Sequence, residues 1–111
     1  MSEADDLDRE LREHYLSVAQ AKVDGLSAAL AHARGQRSDA ATVEHLRVLI
    51  HKIAGSAGAY GFDALGIAAK ALEKRILAAP RPLGEDVLVA VERFLDGMRT
   101  EFAAAHRSAA R

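Results

Sequence analysis

Apolar positions recur at intervals of three and four along most of the chain. From His14 to Ala33 the apolar set is Leu16, Ala19, Val23, Leu26, Leu30 and Ala33, which is one stripe of an amphipathic helix. Gly35-Gln36-Arg37-Ser38-Asp39 interrupts the pattern, and Ser38 or Asp39 can cap a second helix over about residues 40–57. Its stripe is Val43, Leu46, Ile50, Ile53 and Ala57, and the segment Gly58-Ala59-Tyr60-Gly61-Phe62 closes it with glycines suited to positive φ. Asp63 can cap a third helix over about residues 64–78, striped by Leu65, Ala68 or Ala69, Leu72 and Ile76. Pro80-Arg81-Pro82-Leu83-Gly84 is a hard stop. Glu85 and Asp86 then fall in the first turn of a last helix, where the macrodipole favours acids, and Leu88, Val91, Phe94 or Leu95, Met98 and Phe102 form its inner face. Residues 1–13 carry six acids against Arg9 and Arg12, with Leu7 and Leu11 four apart; they either fray or form a short extra N-terminal helix. Residues 106–111 are expected to fray. The pattern predicts an all-α fold, an antiparallel four-helix bundle that occupies residues 1–111 as a single domain.

Composition agrees with helices. Alanine supplies 24 of the 111 residues, aromatics only 5%, and there are two prolines, so a sheet is disfavoured. The length suits one domain, and half the residues are hydrophobic, enough for one core. The absence of Cys removes disulfides, thiolate metal sites and Cys nucleophiles. A net charge of -1 argues against a nucleic-acid partner. No apolar run approaches the length of a membrane span, and the acidic start lacks the form of a secretory signal, so the expected location is the cytoplasm with no membrane partner.

Candidate chemistry rests with five histidines: His14, His32, His45, His51 and His106. No pair has the i, i+4 spacing of a helical zinc site, no HExxH or phosphate-cradling glycine loop occurs, and no metal site is expected. His51 stands apart because of its neighbours. At about 100° per residue, Val48, His51, Ala54 or Gly55, and Gly58 share one strip of the second helix, beside the core stripe rather than within it. Two glycines so close together cost roughly 1 kcal/mol each relative to Ala. A patch without side chains beside an imidazole lets another protein's surface approach the ring. The plainer reading of the same residues is a surface histidine beside glycines that serve helix packing or the C-cap.

The segment from His51 to Phe62 resembles the signature of histidine phosphotransfer (HPt) domains. The family has an acceptor His, an aliphatic residue two later, Gly then Ser or Ala four and five later, a further Gly about ten later, and Leu-Glu near the end of the next helix. The matching positions here are His51, Ile53, Gly55, Ser56, Gly61 and Leu72-Glu73, within residues 46–73. One departure stands out: many members carry Lys three residues after the His, where this chain has Ala54. Reflecting His51 through a turn centred near residue 60 or 61 lands near Lys70, which is therefore a candidate for the missing charge; a solvated face of Lys70, Lys74 and Arg75 is the plainer reading.

The resemblance implies a phosphocarrier of a two-component phosphorelay without kinase activity of its own. His51 would accept a phosphoryl group on Nε2 from a receiver-domain phospho-aspartate and pass it to another receiver. Partners would be receiver domains of response regulators and hybrid histidine kinases, docked by a monomer over Val48, Lys52, Gly55, Ser56, Gly58 and Lys70. No cofactor is expected on this chain, the Mg²⁺ being the receiver's. Tyr60 and Phe62 are expected in the core. Two other readings differ in kind. An HPt-like adaptor would bind receivers without accepting phosphate, and a helical oligomerisation module would pack its small-residue strip against a second copy; the absence of sustained heptads ranks the latter last.

Overall fold

No proline or glycine interrupts the chain between Glu3 and Asp24, and Glu3, Asp5 and Asp6 sit where a helix N-terminus favours negative charge. The computed structural model describes residues 3–109, and in it α1 runs unbroken over Glu3–Gly35. The separate short N-terminal helix considered above is therefore absent. Residues 3–13 are the beginning of α1 because nothing in them or after them stops a helix. Three more helices follow: α2 (Ala40–Ala59), α3 (Asp63–Ala78) and α4 (Glu85–Ala109). Residues 106–109 are helical, and residues 1, 2, 110 and 111 lie outside the described part.

Each helix packs on two others, α1 on α2 and α4, and α3 on α2 and α4, with no diagonal pairs among the described residues. Short connections at 36–39, 60–62 and 79–84 make sequential neighbours antiparallel. The stripes read from the sequence are the core. Leu16 to Ala33 on α1, Val43 to Ala57 on α2, and Leu65, Ala69, Leu72 and Ile76 on α3 are buried. Of the two alternatives on α3, Ala69 is inside and Ala68 exposed, whereas Phe94 and Leu95 are both buried on α4.

Asp39 is the N-cap of α2; its carboxylate accepts from the Thr42 backbone N–H at 2.9 Å and from the Thr42 hydroxyl at 2.6 Å. The expected cap of α3 is corrected: Phe62 occupies the N-cap without a side-chain bond, and Asp63 is the first helical residue, favoured there by the macrodipole. Gly61, just before Phe62, has φ 87°, a conformation that a side chain would strain.

Four of the five aromatic residues close this end of the bundle. Tyr15 stacks on Tyr60 with centroids 4.7 Å apart, and Phe62 meets Phe102 edge-on at 5.4 Å. The Arg12 guanidinium lies over the Phe62 ring and donates to the Gly61 carbonyl at 3.3 Å. The α2–α3 turn is thus pinned to α1, which fixes the register between α2 and α3.

That register depends on Gly66. A Cβ there would meet the Gly58 backbone N at 3.3 Å and the Ala54 carbonyl O at 3.4 Å, so α3 lies directly against the α2 backbone. Gly66→Leu is expected to push the helices apart. Overpacking of roughly 1–3 kcal/mol outweighs a helix-propensity gain of roughly 0.7 kcal/mol. Thermal denaturation should show Tm lower by about 5–10 °C; an unchanged Tm would mean that the two backbones are free to separate.

Candidate functional site

His51 sits on the outer side of α2, next to the core stripe, with its side chain 66% exposed. An exposed imidazole would ordinarily sample several rotamers. This one is held. Nδ1 lies 2.9 and 3.0 Å from the two carboxylate oxygens of Glu73 on α3. The Glu73 side chain is only 13% exposed, so the anchor is a nearly buried group and the anchored ring a solvent-facing one.

The Glu73 carboxyl is held below the usual carboxylate range, first by its hydrogen bond with His51 and then by Arg47, against the opposing effect of burial. It is therefore ionised at neutral pH and can only accept. Its partner Nδ1 must then carry the proton, which leaves Nε2 as the bare nitrogen of the neutral ring. Since the folded state lowers this carboxyl, the anchor is fully present above the ordinary carboxylate value and is lost only as pH falls through the depressed one.

Arg47, one turn before His51 on α2, completes the cluster. Its Nη1 donates to Glu73 Oε2 at 2.6 Å, and its Nε donates to Glu44 Oε2 at 2.9 Å, with Nη2 also on Glu44. Both carboxylates push the guanidinium further toward its charged form, Glu44 more than Glu73. The order across the surface is Glu44, Arg47, Glu73, His51.

On the other side of the ring, a shallow groove runs between α2 and α3. Ala54, Gly55, Gly58 and Gly66 make it low, and Asp63, Ile67 and Lys70 rim it. A Cβ at Gly55 or Gly58 would meet nothing within 4 Å, so these glycines do not serve helix packing; that role belongs to Gly66. Ile67 is 71% exposed, the most exposed large apolar side chain of the described residues.

Of the residues singled out from the sequence, His51, Gly55, Gly58 and Lys70 come together here. Val48, Lys52 and Ser56 do not line the groove. Val48 is half-buried one turn before His51, while the groove extends after it; Lys52 is exposed about 100° round the helix. Ser56 is about 140° round, half-buried, and its hydroxyl lies 3.2 Å from the Tyr15 hydroxyl of α1. Its hydroxyl therefore faces the α1–α2 interface.

Lys70 lies on the groove, but the residue that reaches the ring is Glu73, one turn further along α3. Side chains tilt toward the N-terminus of their own helix. In an antiparallel pair both tilts favour a partner later on α3 than reflection of backbone positions suggests. Glu73 was visible in the sequence only as half of the Leu-Glu pair, and Arg47, Gly66 and Ile67 carried no signal beyond helical position.

A second depression lies between the start of α1 and the α2–α3 turn, lined by Asp8, Arg9, Leu11 and Arg12 with residues 58–61. It contains no histidine. The other four histidines are exposed and stand away from the groove. Among the described residues no group of three or more His, Cys, Asp or Glu side chains is placed to hold a metal ion, and no helix is long and apolar enough to cross a membrane.

A family model described as Hpt domain matches residues 10–107, which takes in most of α1 and α4, the whole of α2 and α3, and every residue of the groove. No curated protein and no solved structure matches the chain.

Proposed function

The chain belongs to the Hpt domain family, and on that premise we propose that it carries phosphoryl groups between receiver domains on Nε2 of His51. The observation that carries this reading is the Glu73 carboxylate on Nδ1, which leaves Nε2 as the free nitrogen of a largely exposed ring beside a groove floored by Ala54, Gly55, Gly58 and Gly66.

The step balances simply. The Nε2 lone pair attacks the phosphorus of an aspartyl phosphate held on a receiver. The P–N bond forms as the P–O bond to the aspartate breaks, and the aspartate leaves as a carboxylate. The ring gains positive charge in the product, because Nδ1 keeps its proton; the Glu73 carboxylate already faces that charge. Phosphoryl transfer needs positioning and charge neutralisation more than covalent help. The receiver's Mg²⁺ supplies most of the neutralisation in this reading, and the bundle supplies a ring held in one orientation. Transfer to a second receiver is the same step reversed.

Lys70 is the cation of this groove. It makes no ion pair among the described residues, and it lines the groove from α3, whereas many family members place a lysine on the helix of the histidine itself. We assign to Lys70 the charge missing at Ala54. Lys70→Ala is expected to slow transfer by about 5–10-fold, a modest effect because the ammonium is solvated. Unchanged transfer rates and phosphohistidine lifetime would remove Lys70 from the site.

The experiment for the function as a whole is incubation with phosphorylated receiver domains, wild type against His51→Gln. Label that is acid-labile and base-stable, on the wild type alone, is the expected result.

A further inference from the structure

Arg47 is charged, little exposed and close to the ring, yet the transfer step above does not use it. Its side chain is 21% exposed and donates to Glu73 Oε2, the same oxygen that lies 3.0 Å from His51 Nδ1. A carboxylate facing an imidazole has two possible effects. It can fix the tautomer, which a nucleophile needs, or it can favour a second proton on the ring, which destroys the nucleophile by occupying Nε2. A lone carboxylate of low exposure does both. One whose charge is shared with a guanidinium keeps its geometry and loses part of its pull on the second proton.

We propose that Arg47 is a positioning residue of the acceptor site: by holding Glu73 from the far side it lets that carboxylate orient the His51 ring while limiting how strongly it charges it. Glu44 holds the other edge of the guanidinium, so Arg47 is fixed on both sides. The remaining charged groups that line the groove are Asp63 and Lys70 on α3, and Lys52 stands exposed about 100° round α2 from the ring. Neither α1 nor α4 contributes a side chain to the groove. None of these others makes a hydrogen bond or ion pair with Glu73 among the described residues, so Arg47 is the group whose removal changes what Glu73 does.

The inference rests on His51 as acceptor, but its first test does not involve phosphate. ¹⁵N-edited NMR of the ring reports which nitrogens are protonated at each pH. In Arg47→Met, which keeps length and removes charge, the pH at which the ring takes its second proton is expected to rise by about one unit over the wild type. Arg47→Lys, which restores a charge without the fork, should stay within a few tenths of a unit. The pH profile of phosphoryl uptake should move to higher pH by the same amount in Arg47→Met and by little in Arg47→Lys. A midpoint that is unchanged or lower in Arg47→Met overturns the proposal, as does a full shift in Arg47→Lys. Should Arg47→Met fail to fold, Arg47→Gln takes its place with the same expectation. Wild-type protein that takes no label in the presence of an intact NMR shift would refute the carrier reading and leave the Arg47–Glu73–His51 coupling standing.

Discussion

His51→Gln is expected to take up no label from any phosphorylated receiver while keeping its fold and its receiver binding. The loss is complete because an amide has no lone pair basic enough to attack an acyl phosphate, and no other imidazole lies in the groove. The fold is kept because the His51 side chain is 66% exposed, so little buried surface is lost. The glutamine amide can still donate to Glu73, and Arg47 still holds the half-buried carboxylate from its other side. Circular dichroism and receiver affinity should therefore match the wild type. Label that persists on His51→Gln would move the acceptor to another histidine, His45 on the same helix being the nearest in sequence. Receiver binding by both proteins with label on neither would favour the adaptor reading, to which Ala54 gives some support.

Gly55→Leu is expected to fold at least as well as the wild type and to lose transfer by about 100-fold or more. Stability should not fall, because a Cβ at position 55 meets nothing within 4 Å and leucine gains roughly 0.5–1 kcal/mol of helix propensity over glycine. Transfer should fall because the new side chain stands in the low groove one turn after the ring, where a receiver must approach. In-line attack needs the reacting atoms within about 3–3.5 Å, and a displacement of about 1 Å already costs about 100-fold. Single-turnover transfer and thermal denaturation on the same sample separate the two effects. A destabilised variant, or one that transfers normally, would show that the groove is not the approach face. Gly66→Leu is the contrasting case, since its Cβ points into the neighbouring helix instead of into the groove.

The fold was legible because each helix advertises one apolar stripe and each connection carries a breaker. The Asp39 cap, the positive φ at Gly61 and the last helix beginning at Glu85 follow from local chemistry alone. Where local chemistry was read too strongly, it failed in understandable ways. Residues 3–13 lack a stripe with a partner, yet they extend α1 because nothing breaks the helix. Asp63 is the right residue type for a cap, but the tight turn at Gly61 brings Phe62 to that position.

The site divides in the same manner. His51, its glycines and the exposed face they share are consequences of spacing along one helix, and spacing along one helix is written in the sequence. The order Glu44, Arg47, Glu73, His51 is not, because it joins residues of two helices whose relative height is set elsewhere. Tyr15, Tyr60, Phe62 and Phe102 fix the turn, and Gly66 sets how closely α3 lies on α2. From these, and from side chains that tilt back along their own helices, it follows that Glu73 and not Lys70 meets the ring. The sequence by itself determined which helices form, which faces are buried and which histidine stands beside an open surface, since these depend on period and local bonding. Only the tertiary structure decided what holds Nδ1 of that histidine, because that is a carboxylate 22 residues away whose distance is set by the packing of the whole bundle.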